Sequence, residues 1–186
     1  GRHLRGATGA FGEVGHWRGE GVAPCRCGRR GCVAGGLGLE PLVKRYRALG
    51  GTASTLEGLL AGARAGEEAA LLALRQLGEA LGRFLANLAV AYDPARVVVG
   101  GRVAELFPFL EASLRASLQA HAFLEAHRRL PVAPSVYGHL APAVGGASLF
   151  LARFFELGGL WAEGPRRNGG EGYAEVAFGD RYGLGA

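Results

Sequence analysis

The longest regular pattern of apolar residues in the chain lies in residues 67–91. Large apolar side chains recur there every three or four positions, at Leu74, Leu77, Leu81, Phe84, Leu85 and Leu88. This spacing places them on one face of an α-helix, so the segment predicts a long helix with one buried stripe. Asp93 and Pro94 follow directly, and a proline disfavours helical backbone at the residue before it, which predicts that the helix ends here.

Two shorter helices are predicted before this one. Residues 40–49 form the first, which stops at a pair of glycines. Ser54 is expected to cap the second, because Glu57 follows three residues later in the spacing of a capping box. This second helix is expected to end near Gly66.

Two further helices are predicted in the second half of the chain. Pro108 suits the first turn of one of them, with Glu111 and Arg115 at the spacing of an exposed ion pair. Its inward face is expected to consist of Leu110, Leu114 and Leu118. Pro142 is expected to open the last long helix, which ends near Leu157.

Two short apolar runs predict strands, at residues 96–99 and 131–137. The first is apolar throughout, which is typical of a strand that is buried on both faces. Strands that alternate with helices predict an α/β fold. Residues 1–10 are interpreted as the end of a hairpin.

The last segment of the chain has a different character. Glycine recurs every few positions in residues 158–186, and no apolar period is present. This pattern predicts a loosely ordered extension without chemistry of its own. The sequence therefore divides into an α/β region, residues 1–157, and a Gly-rich extension, residues 158–186.

Length and composition restrict the class of protein. The 186 residues suffice for one substantial core, and the formal net charge is +5. Arginine accounts for nearly all of the basic residues. We interpret this excess as a bias in codon usage in preference to a sign of affinity for nucleic acid. The chain has no apolar run long enough for a membrane span and no signal-peptide pattern, so we expect a cytoplasmic protein. It has no Met, even at position 1, and is expected to be a fragment or a processed product of a longer protein.

One histidine and all three cysteines of the chain lie close together in sequence, at His16, Cys25, Cys27 and Cys32. Thiolates and imidazole are the preferred ligands of Zn²⁺, which takes four of them in structural sites. The quartet therefore predicts a structural zinc ion. Unpaired buried cysteines and a redox pair are the alternatives, while a disulfide framework would leave one cysteine over.

Three arginines in the same segment raise the question of nucleic-acid binding. Arg26, Arg29 and Arg30 are basic, but no aromatic residues for base stacking lie between them. Cys-x-Cys is also not the usual ligand spacing of zinc fingers, ribbons or knuckles. A solvated turn is therefore the favoured interpretation.

Several motifs of the chain closely resemble those of the ROK family (repressors, open reading frames and sugar kinases). Residues 6–16 read G-A-T-G-A-F-G-E-V-G-H, and the cysteine segment reads C-x-C-G-x-x-G-C from position 25. Residues 93–101 and 140–147 match two further glycine-bearing motifs in the same order. The resemblance implies an incomplete actin-like (RNase H-like) sugar kinase domain with a zinc loop at residues 12–38.

The resemblance also implies a sugar site. Glu13 and His16 match positions that hydrogen-bond a hexose, with His16 between the metal and the sugar. The alternative is that Glu13 only supports the metal loop. One position departs from the family, since a Glu that holds the sugar usually follows the last zinc ligand by two residues, and here that residue is Ala34. Either the ligand differs or sugar binding has been lost.

Of the family's nucleotide-binding residues, only glycines have matches in this chain. Gly100, Gly101, Gly145 and Gly146 match glycines that lie against the adenosine in the family, although such pairs also occur at ordinary turns between strands and helices. The phosphate loops and the aspartate base lie upstream of the matching stretch in the family. We therefore predict no catalytic residue in this chain. ATP and Mg²⁺ are expected as cofactors only if the complete parent protein is a kinase.

These observations favour the sugar-binding region of a sugar-responsive, zinc-containing repressor, whose DNA contacts would lie upstream. The carboxy-terminal part of an ATP-dependent, glucokinase-like sugar kinase is the second hypothesis, and a structural zinc-bearing remnant without a ligand is the third. Because strands of the expected sheet are missing, exposed edges and apolar patches predict a homo-oligomer.

Overall fold

The computed structural model describes residues 4, 6–19 and 23–156, with the side chains of residues 152 and 153 left aside. The chain divides into two compact units, residues 1–145 and residues 146–186. The predicted Gly-rich extension lies outside the described residues. None of the described helices is long and apolar enough to cross a membrane.

Two long helices form the centre of the first unit. Helix α4 spans Glu68–Tyr92 and helix α5 spans Val103–His121. The predicted stripe of α4 is confirmed, with Leu74, Leu77 and Leu85 buried and the other three members half-buried. The predicted inward face of α5 is buried as well: Leu110, Leu114 and Leu118.

Two glycines allow these helices to come unusually close. A Cβ atom at Gly78 would lie 2.6 Å from the carbonyl oxygen of Leu110, and one at Gly82 would lie 2.5 Å from that of Leu114. Distances below about 3 Å cannot be accommodated against backbone, so the absence of side chains at these two positions sets the spacing of the pair.

In the described part of the chain three α-helices precede α4: α1 spans Val33–Leu37, α2 spans Leu39–Ala48 and α3 spans Leu56–Arg64. The prediction for residues 40–49 is confirmed, and Tyr46 is buried with its hydroxyl donating to the carboxylate of Glu67 at 2.9 Å. The predicted cap of the next helix is wrong. Thr55, and not Ser54, accepts the backbone N–H of Gly58 at 3.2 Å, so the helix begins one residue later.

Pro108 lies inside α5, so its predicted place in the first turn is wrong. The helix begins five residues earlier, where Ala104 and Glu105 donate to the carbonyls of Gly101 and Arg102. The extra turn buries Ala104, Leu106 and Phe107. That apolar burial compensates for the single backbone hydrogen bond that a proline removes.

A short parallel sheet lies beside the helices. Strand β1, Val97–Val99, pairs with strand β2, Val132–Pro134, and α5 and helix α6, Glu125–Arg128, form the connection between them. Both predicted strands are therefore present, although the second is shorter than residues 131–137. The prediction that the first is fully buried is wrong, because Val98 is 58% exposed. Among the described residues the sheet has only these two strands, so one edge of β1 has no strand beside it.

Asp93 ends α4 as predicted, in a left-handed conformation with φ of 44°, and its carboxylate meets Nε2 of the buried His127 at 3.0 Å. Helix α7 spans Ala141–Glu156, close to the predicted limits. The hairpin predicted for residues 1–10 is wrong over its described part, which contains turns and no strand.

Candidate metal centre

A short 3₁₀ turn, Val14–His16, positions the histidine of the candidate site. The backbone N–H of His16 donates to the carbonyl of Glu13 at 3.0 Å, and that of Trp17 donates to Val14 at 3.1 Å. These bonds fix the backbone on both sides of the imidazole. The backbone that carries the His16 side chain is therefore ordered by local hydrogen bonds.

A tight reversal of the chain positions the first two cysteines. The N–H of Cys25 donates to the carbonyl of Arg29 at 2.8 Å, and the N–H of Gly28 donates back to Cys25 at 3.0 Å. Gly28 has a φ of +84°, which glycine adopts readily and other residues rarely do. This turn directs Cys25 and Cys27 toward the same region.

The third cysteine is tied to the histidine segment by backbone pairing. Arg18 and Cys32 form an isolated antiparallel bridge, and the N–H of Gly19 donates to the carbonyl of Gly31 at 2.7 Å. Helix α1 begins at the next residue, Val33, whose N–H donates to Trp17 at 2.9 Å. The start of α1 and the 3₁₀ turn therefore bring Cys32 next to His16.

The four side chains converge on one point. One ligand atom from each of His16, Cys25, Cys27 and Cys32 lies within 4.8 Å of all the others. Nδ1 of His16 lies 3.7 Å from Sγ of Cys25, and Sγ of Cys27 lies 3.7 Å from Sγ of Cys32. Three sulfurs and one imidazole nitrogen are a donor set that suits a tetrahedral zinc ion. No other group of three or more such side chains is present in the described part of the chain.

The thiols differ in acidity because their surroundings differ. A hydrogen bond from the backbone of Arg29 lowers the pKa of the Cys27 thiol to about 7. Burial raises the pKa of the Cys32 thiol to about 11. At neutral pH the exposed thiol is therefore readily ionised, whereas the buried one loses its proton when a cation replaces it.

The two nitrogens of His16 face different groups. Nδ1 faces the sulfurs, while Nε2 lies 3.8 Å from Oε2 of Glu13. That distance is too long for a hydrogen bond, so Glu13 does not occupy the hydrogen-bonding capacity of Nε2. Both side chains are exposed, so a carboxylate and an imidazole nitrogen meet at the solvent side of the cluster.

Ala34 lies next to the same turn. It is exposed on α1, and a Cβ atom placed on Gly15 would lie 3.4 Å from the Ala34 methyl group. The position at which the family usually carries a Glu is therefore beside the segment that holds Glu13 and His16. A methyl group at this position provides no hydrogen bond.

An aromatic cluster, which the sequence interpretation missed, joins the metal loop to the helical centre. The Trp17 ring is parallel to the Tyr92 ring at 6.1 Å and meets the edge of Phe84 at 6.1 Å. Phe11 packs edge-on against Tyr92 at 5.4 Å. Both partner rings belong to α4, so the loop rests on the second half of this helix. The position of Trp17 directly after His16 was the available signal.

The four predicted nucleotide glycines lie at two places. Gly100 and Gly101 form the turn between β1 and α5, where Gly101 has a φ of +68°. A Cβ atom on Gly100 would lie 3.4 Å from Ala141, the first residue of α7. Gly145 and Gly146 lie within α7, with open space around their Cα atoms. Their geometry is compatible with either interpretation, a nucleotide contact or an ordinary turn.

The parallel strands and the surrounding helices define an α/β protein that resembles the actin-like sugar kinase fold over about 80% of its length. The sequence profile of the ROK family matches residues 1–153. The chain therefore belongs to the ROK family.

Individual relatives include both regulators and kinases. The xylose repressor of Bacillus subtilis is 27% identical over 157 residues, which cover 83% of this chain and 41% of the repressor. A ROK hexokinase structure from Thermus thermophilus has a TM-score of 0.64 at 29% identity and covers 84% of this chain and 52% of that one. A ROK glucokinase from Streptomyces griseus, solved with glucose and AMPPNP, has a TM-score of 0.69 at 24% identity, covering 80% and 54%. The chain spans about half the length of these relatives.

Proposed function

We propose that this chain is the zinc-bearing, sugar-binding region of a sugar-responsive transcriptional repressor. The observation that carries the proposal is the convergence of His16 and the three cysteines within 4.8 Å, directly beside Glu13. The xylose repressor among its relatives supports the regulatory class. Any DNA contact would be made outside the described residues.

Zinc would act here by fixing a side chain. Cys25, Cys27, Cys32 and Nδ1 of His16 would hold the ion, with no open coordination position for water. An imidazole that is bound through one nitrogen keeps its other nitrogen protonated and fixed in direction. Nε2–H of His16 would then donate to a sugar hydroxyl, and the Glu13 carboxylate would accept from a neighbouring hydroxyl. We expect a neutral sugar of the hexose class.

The second candidate is the carboxy-terminal part of an ATP-dependent sugar kinase. The TM-score of 0.69 to the glucokinase structure solved with glucose and AMPPNP favours it, and Gly100, Gly101, Gly145 and Gly146 would then lie near the adenosine. We expect no ATP-dependent phosphorylation of hexoses or amino sugars by this chain alone. Turnover that disappears in Glu13→Gln would support the kinase and contradict the repressor.

Metal analysis of protein that is purified without added zinc tests the metal. We expect one Zn²⁺ per chain and its loss in Cys27→Ala. A content below about half an equivalent, or full metal in Cys27→Ala, would contradict the site.

Calorimetry with glucose, xylose and amino sugars tests the ligand. Glu13→Gln is expected to weaken binding about tenfold or more, since a hydrogen bond to a charged group contributes about 1.5–3 kcal/mol. Glu68→Gln, an exposed glutamate at the start of α4, is the matched control and should bind as the parent does. Equal affinities of all three proteins would remove Glu13 from the site.

Ala34→Glu tests the position that departs from the family. The new carboxylate would lie beside Glu13 and His16 and would strengthen binding of a suitable sugar about ten- to a hundredfold. Ala34→Gln has the same length without the charge and should gain less. If neither substitution changes the affinity for any sugar in the panel, Ala34 does not face the ligand.

Association of the chain with itself remains a prediction. Strand β1 pairs along one edge only among the described residues, and its Val98 side chain is 58% exposed; both features support association, because unpaired strand edges and apolar patches rarely stay uncovered. Light scattering at micromolar concentration should give more than one chain per particle. A cooperatively folding monomer would contradict this expectation.

A further inference from the structure

The three cysteines differ in ways that matter for reactions other than metal binding. We propose that Cys27 and Cys32 form a disulfide when a hydroperoxide such as H₂O₂ oxidises them, and that this modification releases the metal. The inference rests on the proposed zinc site for the release step. The pairing of the two sulfurs is a separate claim and is argued from their geometry.

Exposure decides which sulfur meets the oxidant first. Cys27 is exposed, Cys25 is half-buried and Cys32 is only 5% exposed. The residues on either side of Cys27, Arg26 and Gly28, are exposed as well, so a small solute can reach this part of the turn. Cys27 is therefore the sulfur that attacks the peroxide.

Distance decides which sulfur completes the reaction. Sγ of Cys32 lies 3.7 Å from Sγ of Cys27, whereas Sγ of Cys25 lies 3.7 Å from the imidazole of His16. A disulfide bond is about 2.05 Å long, so the two sulfurs must approach by less than 2 Å. Gly28 and Gly31, at the two ends of the intervening segment, have φ values of +84° and +73°. The chain is therefore already folded back between the two cysteines.

The reaction balances without a further partner. The Cys27 thiolate attacks one peroxide oxygen, the O–O bond breaks, and hydroxide leaves while the sulfur becomes a sulfenic acid. The Cys32 sulfur then attacks the Cys27 sulfur, the S–S bond forms, and the second hydroxide leaves. Two thiolates, one H₂O₂ and two protons thus give one disulfide and two waters. The two electrons pass from sulfur to the peroxide.

Disulfide formation would dismantle the metal site. Only the thiolate form is a zinc ligand, so the reaction removes two of the four ligands and leaves His16 and Cys25. The imidazole would then lose the ion that fixes its ring. Oxidation should therefore weaken sugar binding through His16, and reduction with added zinc should restore it.

Peptide mapping of the zinc-loaded chain tests the proposal, because trypsin separates the three cysteines. Cleavage after arginine and lysine places Cys25 in residues 19–26, Cys27 in residues 27–29 and Cys32 in residues 31–44. The reduced protein is treated with H₂O₂, free thiols are alkylated, and the digest is analysed by mass spectrometry. A chromogenic chelator measures released zinc in the same sample.

We expect a linked pair of peptides that contains Cys27 and Cys32, and one zinc released for each disulfide formed. Cys25→Ser retains the reacting pair and should form the same disulfide. Cys32→Ser lacks the second sulfur and should accumulate a sulfenic acid on Cys27 that dimedone traps. Should either variant fail to fold, the peptide map of the unaltered chain decides the question by itself.

Predominant linkage through Cys25, or retention of zinc after the disulfide has formed, would overturn the proposal. Protein that contains no zinc before oxidation would contradict the proposed metal site. The peptide map would then still show whether Cys27 pairs with Cys32, so the two claims fail separately.

Discussion

The metal loop, residues 12–38, and the helix pair α4–α5 are stabilised by different interactions. The helix pair buries large side chains completely, including Leu74, Leu77, Leu110 and Leu114. In the described part of the loop only Gly31, Cys32 and Gly35 are buried. Apolar burial stabilises the helices, whereas the loop has little apolar surface to bury and depends on backbone hydrogen bonds and converging ligands.

This contrast predicts that the two regions respond separately to perturbation. Loss of the metal should loosen the loop and leave the helices folded. A change in the helix interface should lower global stability and leave the ligand set intact. The contacts of Trp17 with Tyr92 and Phe84, and of Leu37 with the helical core, are described links through which one region would affect the other.

The largest effect is expected from removing a metal ligand. Cys25→Ser should lower zinc affinity by on the order of 100- to 1,000-fold, because four ligands share about 10–16 kcal/mol of binding free energy. Hydrogen exchange measured by mass spectrometry should show lost protection in residues 23–38. Protection in α4 and α5 should remain. Arg29→Ala, in the same turn, is the control and should retain both zinc and protection.

Equal loss of protection in α4 and α5 would contradict the separation of the two regions. It would mean that the metal contributes to the stability of the helical core. Unchanged zinc affinity in Cys25→Ser would instead remove that residue from the ligand set.

A smaller effect, on stability alone, is expected from Gly82→Ala. The new Cβ would lie 2.5 Å from the carbonyl oxygen of Leu114 and 2.7 Å from the backbone nitrogen of Leu118, so the helices must separate. Overpacking of this kind costs about 1–3 kcal/mol. Denaturant unfolding should show this loss, while zinc content stays at its original value.

Gly145→Ala is the matched control for that substitution. It is also a glycine within a helix, but nothing lies within 4 Å of its Cβ position. Replacing a glycine in a helix by alanine in open space stabilises by about 0.5–1 kcal/mol. Destabilisation by both substitutions would show that the close approach of α4 and α5 is not the cause.

Substitutions of Trp17, which contacts both regions, are expected to have smaller effects than the substitutions within either region. Trp17→Ala removes two aromatic contacts, each of which contributes about 0.5–1.5 kcal/mol, and should lower both the unfolding free energy and the zinc affinity. Trp17→Phe retains a ring and should recover part of the loss in both. A change in only one of the two measurements would mean that Trp17 belongs to one region and does not join them.

The smallest effect concerns a surface ion pair at the start of α3. The hydrogen bond from Arg102 lowers the pKa of Glu57, so the pair contributes stability above the ordinary pKa of a glutamate. That contribution is lost as the pH falls through the lowered pKa. Glu57→Gln should therefore be slightly less stable at neutral pH and equal to the parent in acid, and salt should reduce the difference. A difference that grows in acid would contradict this sign.

The helix pair and the ligand quartet could be predicted from the spacing of residues, because both patterns are local in sequence. A stripe such as Leu74, Leu77 and Leu85 is local, because helical geometry alone places its members on one face. The quartet is also nearly local, since its three cysteines lie within eight residues and a segment with Gly28 and Gly31 at its ends connects Cys27 to Cys32. Patterns of this kind require no knowledge of distant contacts.

The remaining features depend on neighbours that are distant in sequence. Pro108 is tolerated inside α5 because the earlier turn buries Leu106 and Phe107 in the core. Gly82 determines the distance between α4 and α5 only because the backbone of α5 passes directly over it. Val98 belongs to an apolar strand but is exposed, because no described element covers it. Local spacing carries none of this information.

X-ray absorption at the zinc edge tests the central claim, the identity of the four ligands, most directly. The account predicts three sulfur neighbours at about 2.3 Å and one nitrogen neighbour at about 2.0–2.1 Å. In His16→Ala the nitrogen from imidazole should disappear while the three sulfurs remain. A zinc ion surrounded mainly by oxygen and nitrogen, or an unchanged spectrum in His16→Ala, would contradict the account.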